Sequence, residues 1–583
     1  MHNFFSFRTV GAVILPVLFL GLMFISSCKE KEKIVTETVH DTVQVTMVVD
    51  IISVDEIYAT PDNITQGETI TLTADVTAED IVGPLTYEWF SKDGTFNNAE
   101  GDTVTWKAPD DAGAYEISVH VTDNVYIGIG TITVGVGMYA PTVTPYYVGG
   151  QGNACGCHAN DQVAEWKETG HAHAWETLQE SGHVLPSCIP CHTLGFVGEF
   201  GNSGFDEAPI EKFVNVQCEN CHGPASEHPG NPLGGTINVT YSAALCGTCH
   251  EGFHHPYYDE WLQSPHNFTA SAAHGAPANG TCQGCHEGVT AAERLSGDLS
   301  EFFGGASGAA PRDTTGYPIV GIVCATCHDP HSAENPSQLR TVADVHLVTA
   351  NGESPVITIG GSGKLCMQCH HARHDPESQV DEGYDHFGPH ANPQADMMAG
   401  KSAYHAVAPP DFVWARPVHL TVENSCKTCH LSMAEFVSEE QPTVTGHTFR
   451  PKVEACLPCH GVLQSFSDLR ANDDYDGNGI IEGVQIEVQG LLTKLEEALY
   501  ESGVDTSGGE DLTSALGDTT RSTFVQRGAG YNLVFVEEDK SMGIHNPFYC
   551  VQLLQQSYNY LTGEFPKNAA ILQDENYAVV LNP

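Results

Sequence analysis

CIPCH at residues 188–192, CENCH at 218–222, CGTCH at 246–250, CQGCH at 282–286, CATCH at 324–328, CMQCH at 366–370, CKTCH at 426–430 and CLPCH at 456–460 are eight copies of one pattern. A shortened ninth, Cys155-x-Cys157-His158, precedes them. Cys-x-x-Cys-His is the attachment site of a c-type haem. The two thiols bond to the porphyrin vinyl groups, and the adjacent imidazole becomes the proximal iron ligand. The attachment pairs are Cys188/Cys191, Cys218/Cys221, Cys246/Cys249, Cys282/Cys285, Cys324/Cys327, Cys366/Cys369, Cys426/Cys429 and Cys456/Cys459. Their proximal ligands are His192, His222, His250, His286, His328, His370, His430 and His460. One copy would read equally as a zinc half-site or a redox dithiol. Eight copies, each followed by His, do not.

The totals agree. Of 20 Cys, only Cys28 and Cys550 lie outside the motifs, so a secreted disulfide framework is excluded. The 30 His outnumber the 24 Lys and Arg. The formal charge of −50 excludes a nucleic-acid binder, which needs a basic face. It suits a solvated acidic surface, or a docking surface for cationic partners or metal ions.

Residues 9–25, TVGAVILPVLFLGLMFI, follow Arg8 and precede Ser26-Ser27-Cys28. The run is short for a membrane span. It looks like a bacterial lipoprotein signal, with residues 1–27 removed and Cys28 lipidated. Lys29 after that Cys, by resemblance to Gram-negative lipoproteins, implies an outer-membrane anchor facing the periplasm or the cell surface. Residues 28–48 are charged and rich in Thr and Val and read as a tether; His40 and His120 read as surface residues.

Residues 49–137 alternate apolar and polar positions between Gly, Pro, Asp and Asn, which predicts six or seven short strands and a β-sandwich. The stretch YEWFSKDGTF…WKAPDDAGAYEISVHVTDN resembles PKD and other Ig-like modules through Trp89, Trp106, Pro109, Gly113 and Tyr115. A spacer role follows, with a carbohydrate- or partner-binding module as the alternative. Residues 138–150 read as a linker, 151–465 as the haem domain, and 466–583 as a calcium-loop-like segment with C-terminal helices completing it. The fold class is therefore multidomain: an all-β sandwich, then a loop-rich, mainly α domain.

GGQGNACGCHANDQVAEWKETGHAHAW, residues 149–175, resembles the opening haem segment of cytochrome c554-like multihaem proteins. That family belongs with the octahaem hydroxylamine oxidoreductases. The resemblance implies a haem at Cys155, Cys157 and His158, giving nine haems, or eight if the short copy is empty. It also implies second iron ligands. His171 matches the family's distal His, with His173 as rival. CENCHGPASEH offers His228, EWLQSPH offers His266 and CATCHDPH offers His331. HANPQADMMAG resembles a family HxGPQxDML element and offers His390. His419, His447 in GHTFRP and His545 in SMGIHNPFY follow, with His183 as ninth. His254, His255, His274, His346, His371, His374, His386 and His405 are set aside.

DDYDGNGIIEGVQ has EF-hand-like spacing. Asp474, Asp476, Asn478, the Ile480 carbonyl and Glu482 are its candidate calcium ligands, and Gln485 stands where a bidentate Glu is usual. An Asx-rich turn capping the next helix is the alternative. That helix, about 483–502, is predicted to bury a stripe of Ile486, Leu491, Leu492, Leu495 and Leu499. A second, about 546–562, holds Cys550, read as a buried thiol.

The expected function is electron transfer along mostly bis-His haems at the cell envelope, to redox partner proteins or an extracellular acceptor. Association into a homo-oligomer or filament is compatible. The alternative is an oxidoreductase acting on hydroxylamine, nitrite or a sulfur oxyanion at one open haem. A purely structural surface protein would leave the motifs unexplained.

Overall fold

The computed structural model describes residues 33–38, 44–49 and most of 52–573. Outside the description lie 1–32, 39–43, 50–51, 137–144, 151–157, 159–161, 197–201, 229–236, 269–279, 298–318, 438–442, 507–510, 574–583 and some shorter stretches. The signal-like segment, Cys28, Cys155, Cys157, His183 and His274 therefore fall outside the described residues. The chain divides into two compact units, 1–141 with 207–211, and 142–206 with 212–583.

The first unit is built of strands. β1 (Lys33–Thr38) and β2 (Gln44–Val49) pair antiparallel, with Lys33 opposite Val49. The stretch expected to be a plain tether thus holds a hairpin, favoured by its density of Val, Ile and Thr. Seven further strands follow: β3 (Ile52–Thr60), β4 (Thr69–Ala78), β5 (Thr86–Ser91), β6 (Thr95–Phe96), β7 (Thr103–Lys107), β8 (Gly113–Thr122) and β9 (Ile127–Val136). They form a four-stranded sheet, β3-β4-β7-β6, and a three-stranded sheet, β5-β8-β9. All strand pairings in both are antiparallel. The alternating apolar residues of both sheets meet in one core: Ile52, Leu72 and Trp106 from the first, Trp89, Ile117 and Val119 from the second. Both buried indoles keep a hydrogen-bond partner, Trp89 Nε1 donating to Gly101 O and Trp106 Nε1 to Asp93 O. Gly94 must be glycine: its φ is +77°, and a Cβ there would lie 2.4 Å from the Trp106 ring.

In the second unit the motifs themselves make short helical turns, such as Cys218–His222, Cys324–Cys327 and Cys426–His430. One turn brings residues i and i+3 to the same side, where both thiols can reach one porphyrin edge. Loops join the turns. A longer helix, α1 (Gly288–Ser296), follows the CQGCH motif.

The apolar core of this unit lies at its C-terminal end. α2 (Val484–Glu501), α3 (Leu512–Gly517), α4 (Phe524–Asp539) and α5 (Pro547–Thr562) pack together through Val488, Leu491, Leu495, Tyr531, Phe535, Leu553 and Leu554. Cys550 is buried on α5. The expected stripe of α2 needs one correction: Ile486 is 43% exposed, and Val488 takes its place in the core. The reason is phase. At about 100° per residue, 488, 491, 492, 495 and 499 share one face, and 486 points the other way. Among the described residues no helix is long and apolar enough to cross a membrane.

This register has a direct test. Leu495 is fully buried, so Leu495→Ala is expected to cost about 2–5 kcal/mol. Ile486→Ala should stay within about 0.5 kcal/mol. Denaturant melts of the haem-loaded protein compare the two, and equal losses would contradict the assigned phase.

Candidate functional site

Eight motif histidines each face a second imidazole. The pairs, by distance between ring centres, are His158–His228 at 6.4 Å, His250–His171 at 6.2 Å, His222–His331 at 6.1 Å and His370–His266 at 6.1 Å. The others are His286–His390 at 6.2 Å, His328–His447 at 6.4 Å, His460–His419 at 6.2 Å and His430–His545 at 6.2 Å. The structure thus places His171, His228, His266, His331, His390, His419, His447 and His545 each opposite a motif histidine. His173, the rival of His171, instead bonds Glu176 and the Lys167 carbonyl at the surface.

The spacing suits a metal atom between the rings, and His374–His390 and His250–His255 share it at 6.1 and 6.4 Å. Two metal–imidazole bonds of about 2.0 Å, each extended by the roughly 1.1 Å from nitrogen to ring centre, span about 6.2 Å. Each gap is therefore one metal atom wide.

The ring polarity agrees with it. His222 Nδ1 donates to Asn238 O at 2.7 Å, His328 Nδ1 to Ser337 O at 2.8 Å and His430 Nδ1 to Phe449 O at 2.9 Å. On the outer side, His419 Nδ1 donates to Ile544 O at 2.6 Å and His390 Nδ1 to Ala391 O at 3.0 Å. A carbonyl only accepts, so each Nδ1 carries the hydrogen and Nε2 keeps a lone pair for a metal. Burial lowers the pKa of His171, His328, His370, His390, His419, His430 and His447, and takes His250 and His266 down to about 4. These rings stay neutral, the ligating form. His545 differs. Burial lowers its pKa, but the buried Asp539 carboxylate, 2.6 Å from its Nδ1, outweighs that and raises it.

His192 is the remaining motif histidine. Its neighbour is His255, whose pKa burial and then His192 hold below the ordinary value, and whose ring also lies 6.4 Å from His250. His255 was set aside in the sequence, since HEGFHH carries no family signature. His183, the residue expected there, lies outside the described residues. Among the other residues set aside, His374 sits edge-on to His390 at 6.1 Å. His405 bonds Tyr549 Oη at 2.7 Å and stacks on Trp414.

The thiols also meet across motifs. Cys191 hydrogen-bonds Cys249, Cys246 bonds Cys324, Cys285 bonds Cys369, and Cys366 bonds Cys426. In the haem-bearing protein these sulfurs are thioethers, so the contacts report which attachment points are neighbours.

Cys459 departs from this pattern. The other described motif cysteines are half-buried, whereas Cys459 lies exposed at the surface. The segment after it stays in solvent too, with Val462 at 95% exposure. Cys459 nevertheless keeps the geometry of an attachment thiol. It shares one helical turn, Leu457–His460, with its motif histidine, and His460 still faces His419.

The acidic loop comes together differently from its sequence spacing. Asp474, Asp476 and Glu487 offer carboxylate oxygens within 4.8 Å of one another. Asn478 spans Asp476 and Glu482 through its amide instead of joining that group. Ile480 donates its N–H to Asn478 Oδ1, and Gln485 turns to the Ser541 carbonyl. Glu487, two residues past the expected end of the loop and fully buried, closes the cluster. It also accepts from the backbone N–H of Tyr475, Asp476 and Glu482. Burial raises the pKa of both Asp476 and Glu487.

Repeated attachment motifs, with histidines partnered by second imidazoles, define a multihaem c-type cytochrome with covalently bound haem. Comparison with known proteins agrees. The model of the cytochrome c554 and c-prime family matches residues 154–223, and that of the cytochrome c552 family matches 393–575. Cytochrome c nitrite reductase subunit NrfA of Nitratidesulfovibrio vulgaris is 23% identical over 286 residues, 41% of this chain and 51% of that protein. Cytochrome c-554 of Nitrosomonas europaea is 31% identical over 98 residues, 14% of this chain and 40% of that protein. The chain thus spans about half the length, or less, of these curated relatives. Among solved structures, the outer cell wall cytochrome OcwA is 19% identical, with a TM-score of 0.40 over 64% of this chain and 75% of that one. An undecahaem cytochrome from the S-layer of Carboxydothermus ferrireducens is 19% identical, with a TM-score of 0.39 over 65% and 56%.

Proposed function

We propose that this protein carries electrons along nine covalently attached, bis-His haems at the cell envelope. The observation that carries the reading is the unbroken run of neighbouring attachment points. Cys221 lies within electrostatic reach of Cys246. Cys246 bonds Cys324, and Cys366 lies within reach of Cys327 and bonds Cys426. Cys429 lies within reach of Cys456 and Cys459. Six motifs therefore follow one another, with Cys188/Cys191 and Cys282/Cys285 as branches beside the run. The exposed Cys459 end of that run is where an electron would pass to or from a partner. Attached haem supplies a one-electron iron couple. The protein's part is to hold imidazoles on both faces, which would leave no coordination position for a substrate. The His158–His228 pair supports a haem at the short Cys155/Cys157 copy. His255 is the second ligand proposed for the haem at Cys188/Cys191.

An oxidoreductase would need a motif histidine lacking its partner, and eight of nine have one at metal-bridging distance. The decisive experiment is optical and EPR spectroscopy of the fully reduced, anoxic protein under carbon monoxide. No high-spin, carbon monoxide-binding haem is expected. A stoichiometric carbon monoxide adduct would move the reading to the enzyme class.

The envelope setting rests on the lipoprotein-like segment ending at Cys28 and on haem attachment taking place outside the cytoplasm. In this reading Cys28 carries an outer-membrane anchor, and the strand unit is a PKD- or Ig-like spacer. Redox proteins or an extracellular acceptor take the electrons, and self-association into oligomers or a filament extends the path. The acidic loop is read as a structural calcium site formed by Asp474, Asp476 and Glu487. It ties the loop to the first turn of α2. Chelation of the haem-loaded protein is then expected to lower its melting midpoint, and Glu487→Gln to abolish that calcium response. An unchanged midpoint on chelation would refute the site.

A further inference from the structure

Two arginines converge on one pair of motifs. Arg294, on α1, is buried at 4% exposure. Its Nε donates to Gly284 O at 2.6 Å, and its Nη2 to Gln368 O at 3.1 Å and Cys369 Sγ at 3.0 Å. Arg373 is half-buried. Its Nη2 donates to Cys285 Sγ at 3.1 Å and Cys369 O at 2.9 Å, and its Nη1 to His371 O at 2.9 Å. Both guanidinium groups thus lie against the sulfurs and carbonyls of CQGCH and CMQCH, whose Cys285 and Cys369 touch each other. A carboxylate near Arg373 is Asp396, fully buried and bound through Oδ2 to the Ala372 N–H. Burial pushes its pKa up to about 6, so at neutral pH it stays mostly ionised and offsets part of the Arg373 charge, while Arg294 is bonded to backbone carbonyls and a sulfur.

We infer that Arg294 and Arg373 are positioning charges that raise the reduction potentials of the haems at Cys282/Cys285 and Cys366/Cys369, making this pair, one member on the run and the other on its branch, an electron-holding point. The inference rests on haem attachment at those motifs. An iron that accepts one electron lowers its local charge by one, and fixed positive charge a few ångströms away favours that reduced state. The favour is large where burial excludes water. Arginine stays protonated throughout, so the bias is permanent. In a chain of net charge −50, two cations converge on this one pair of motifs, whereas Arg340 beside CATCH is ion-paired with Asp329 at 3.2 Å.

The test is spectroelectrochemical titration of the haem-loaded protein as wild type, Arg294→Gln, Arg373→Gln and the Lys variants at both positions. Each Gln change is expected to shift two of the one-electron steps to lower potential, by at least about tenfold in reduced-to-oxidised ratio, which is about 59 mV for a one-electron couple. The Lys variants should keep most of the wild-type potential. Arg373→Gln, at the half-buried position, is the arm that stands if the buried Arg294 change prevents haem loading. Unmoved steps in a Gln variant of full haem content would overturn the inference. Equal shifts for Lys and Gln would also overturn it, leaving a packing role only. A protein without haem would show no titration at all, which is a failure of the cytochrome reading and not of the charge assignment.

Discussion

Two neutral imidazoles facing each other across one metal-atom gap is the constraint on which the haem unit depends. In a bare polypeptide the arrangement makes little sense. Where Nδ1 is held by a carbonyl, the Nε2 lone pair is left for another partner, and an unpartnered polar atom away from water is costly. Placing iron between the rings turns that cost into two bonds. The carbonyls that accept from Nδ1, such as Asn238, Ser337, Phe449 and Ile544, then fix the ring orientation. Backbone and metal hold each ring from opposite ends.

This explains why the unit is so poor in regular structure between residues 142 and 460. Loops ordinarily need a packed apolar layer beneath them, and the buried apolar clusters of that stretch are small. Porphyrin faces provide the missing layer, and their binding energy becomes folding energy. The C-terminal helices differ. Their core is made of side chains, and they deliver His545 and its Asp539 partner as a rigid block. Charge is distributed to the same end. The chain is acidic, burial favours the uncharged form of several paired rings, and two arginines bond to motif carbonyls and sulfurs.

Much of the site was readable in the chain because haem attachment is a local chemistry. Two thiols and an imidazole must sit within five residues, and nothing distant can supply them. Exposure is not local in that way: nothing in CLPCH distinguishes the exposed Cys459 from its half-buried counterparts. Second ligands are another matter again. His228 faces His158 from 70 residues away and His545 faces His430 from 115, so spacing alone says nothing, and family signatures point to those positions. Where no signature exists the chain is silent: His255, in HEGFHH, is set aside as non-ligating in the sequence, and its role beside His192 is a proposal. Glu487 was missed because the loop closes two residues later than the usual spacing. α4 was missed because it is buried on nearly every side, with Gly528 and Gly530 inside it, so there is no apolar stripe to find. Ile486 was placed inside on composition, against its helical phase.

The account stands or falls on iron porphyrin being bonded to these thiols. The most direct measurement is the intact mass of the exported protein, followed by mapping of haem-bearing peptides. Nine haems per chain, one on the Cys155–His158 peptide, is the predicted result. A mass equal to the bare polypeptide, with its motif thiols free, would contradict it.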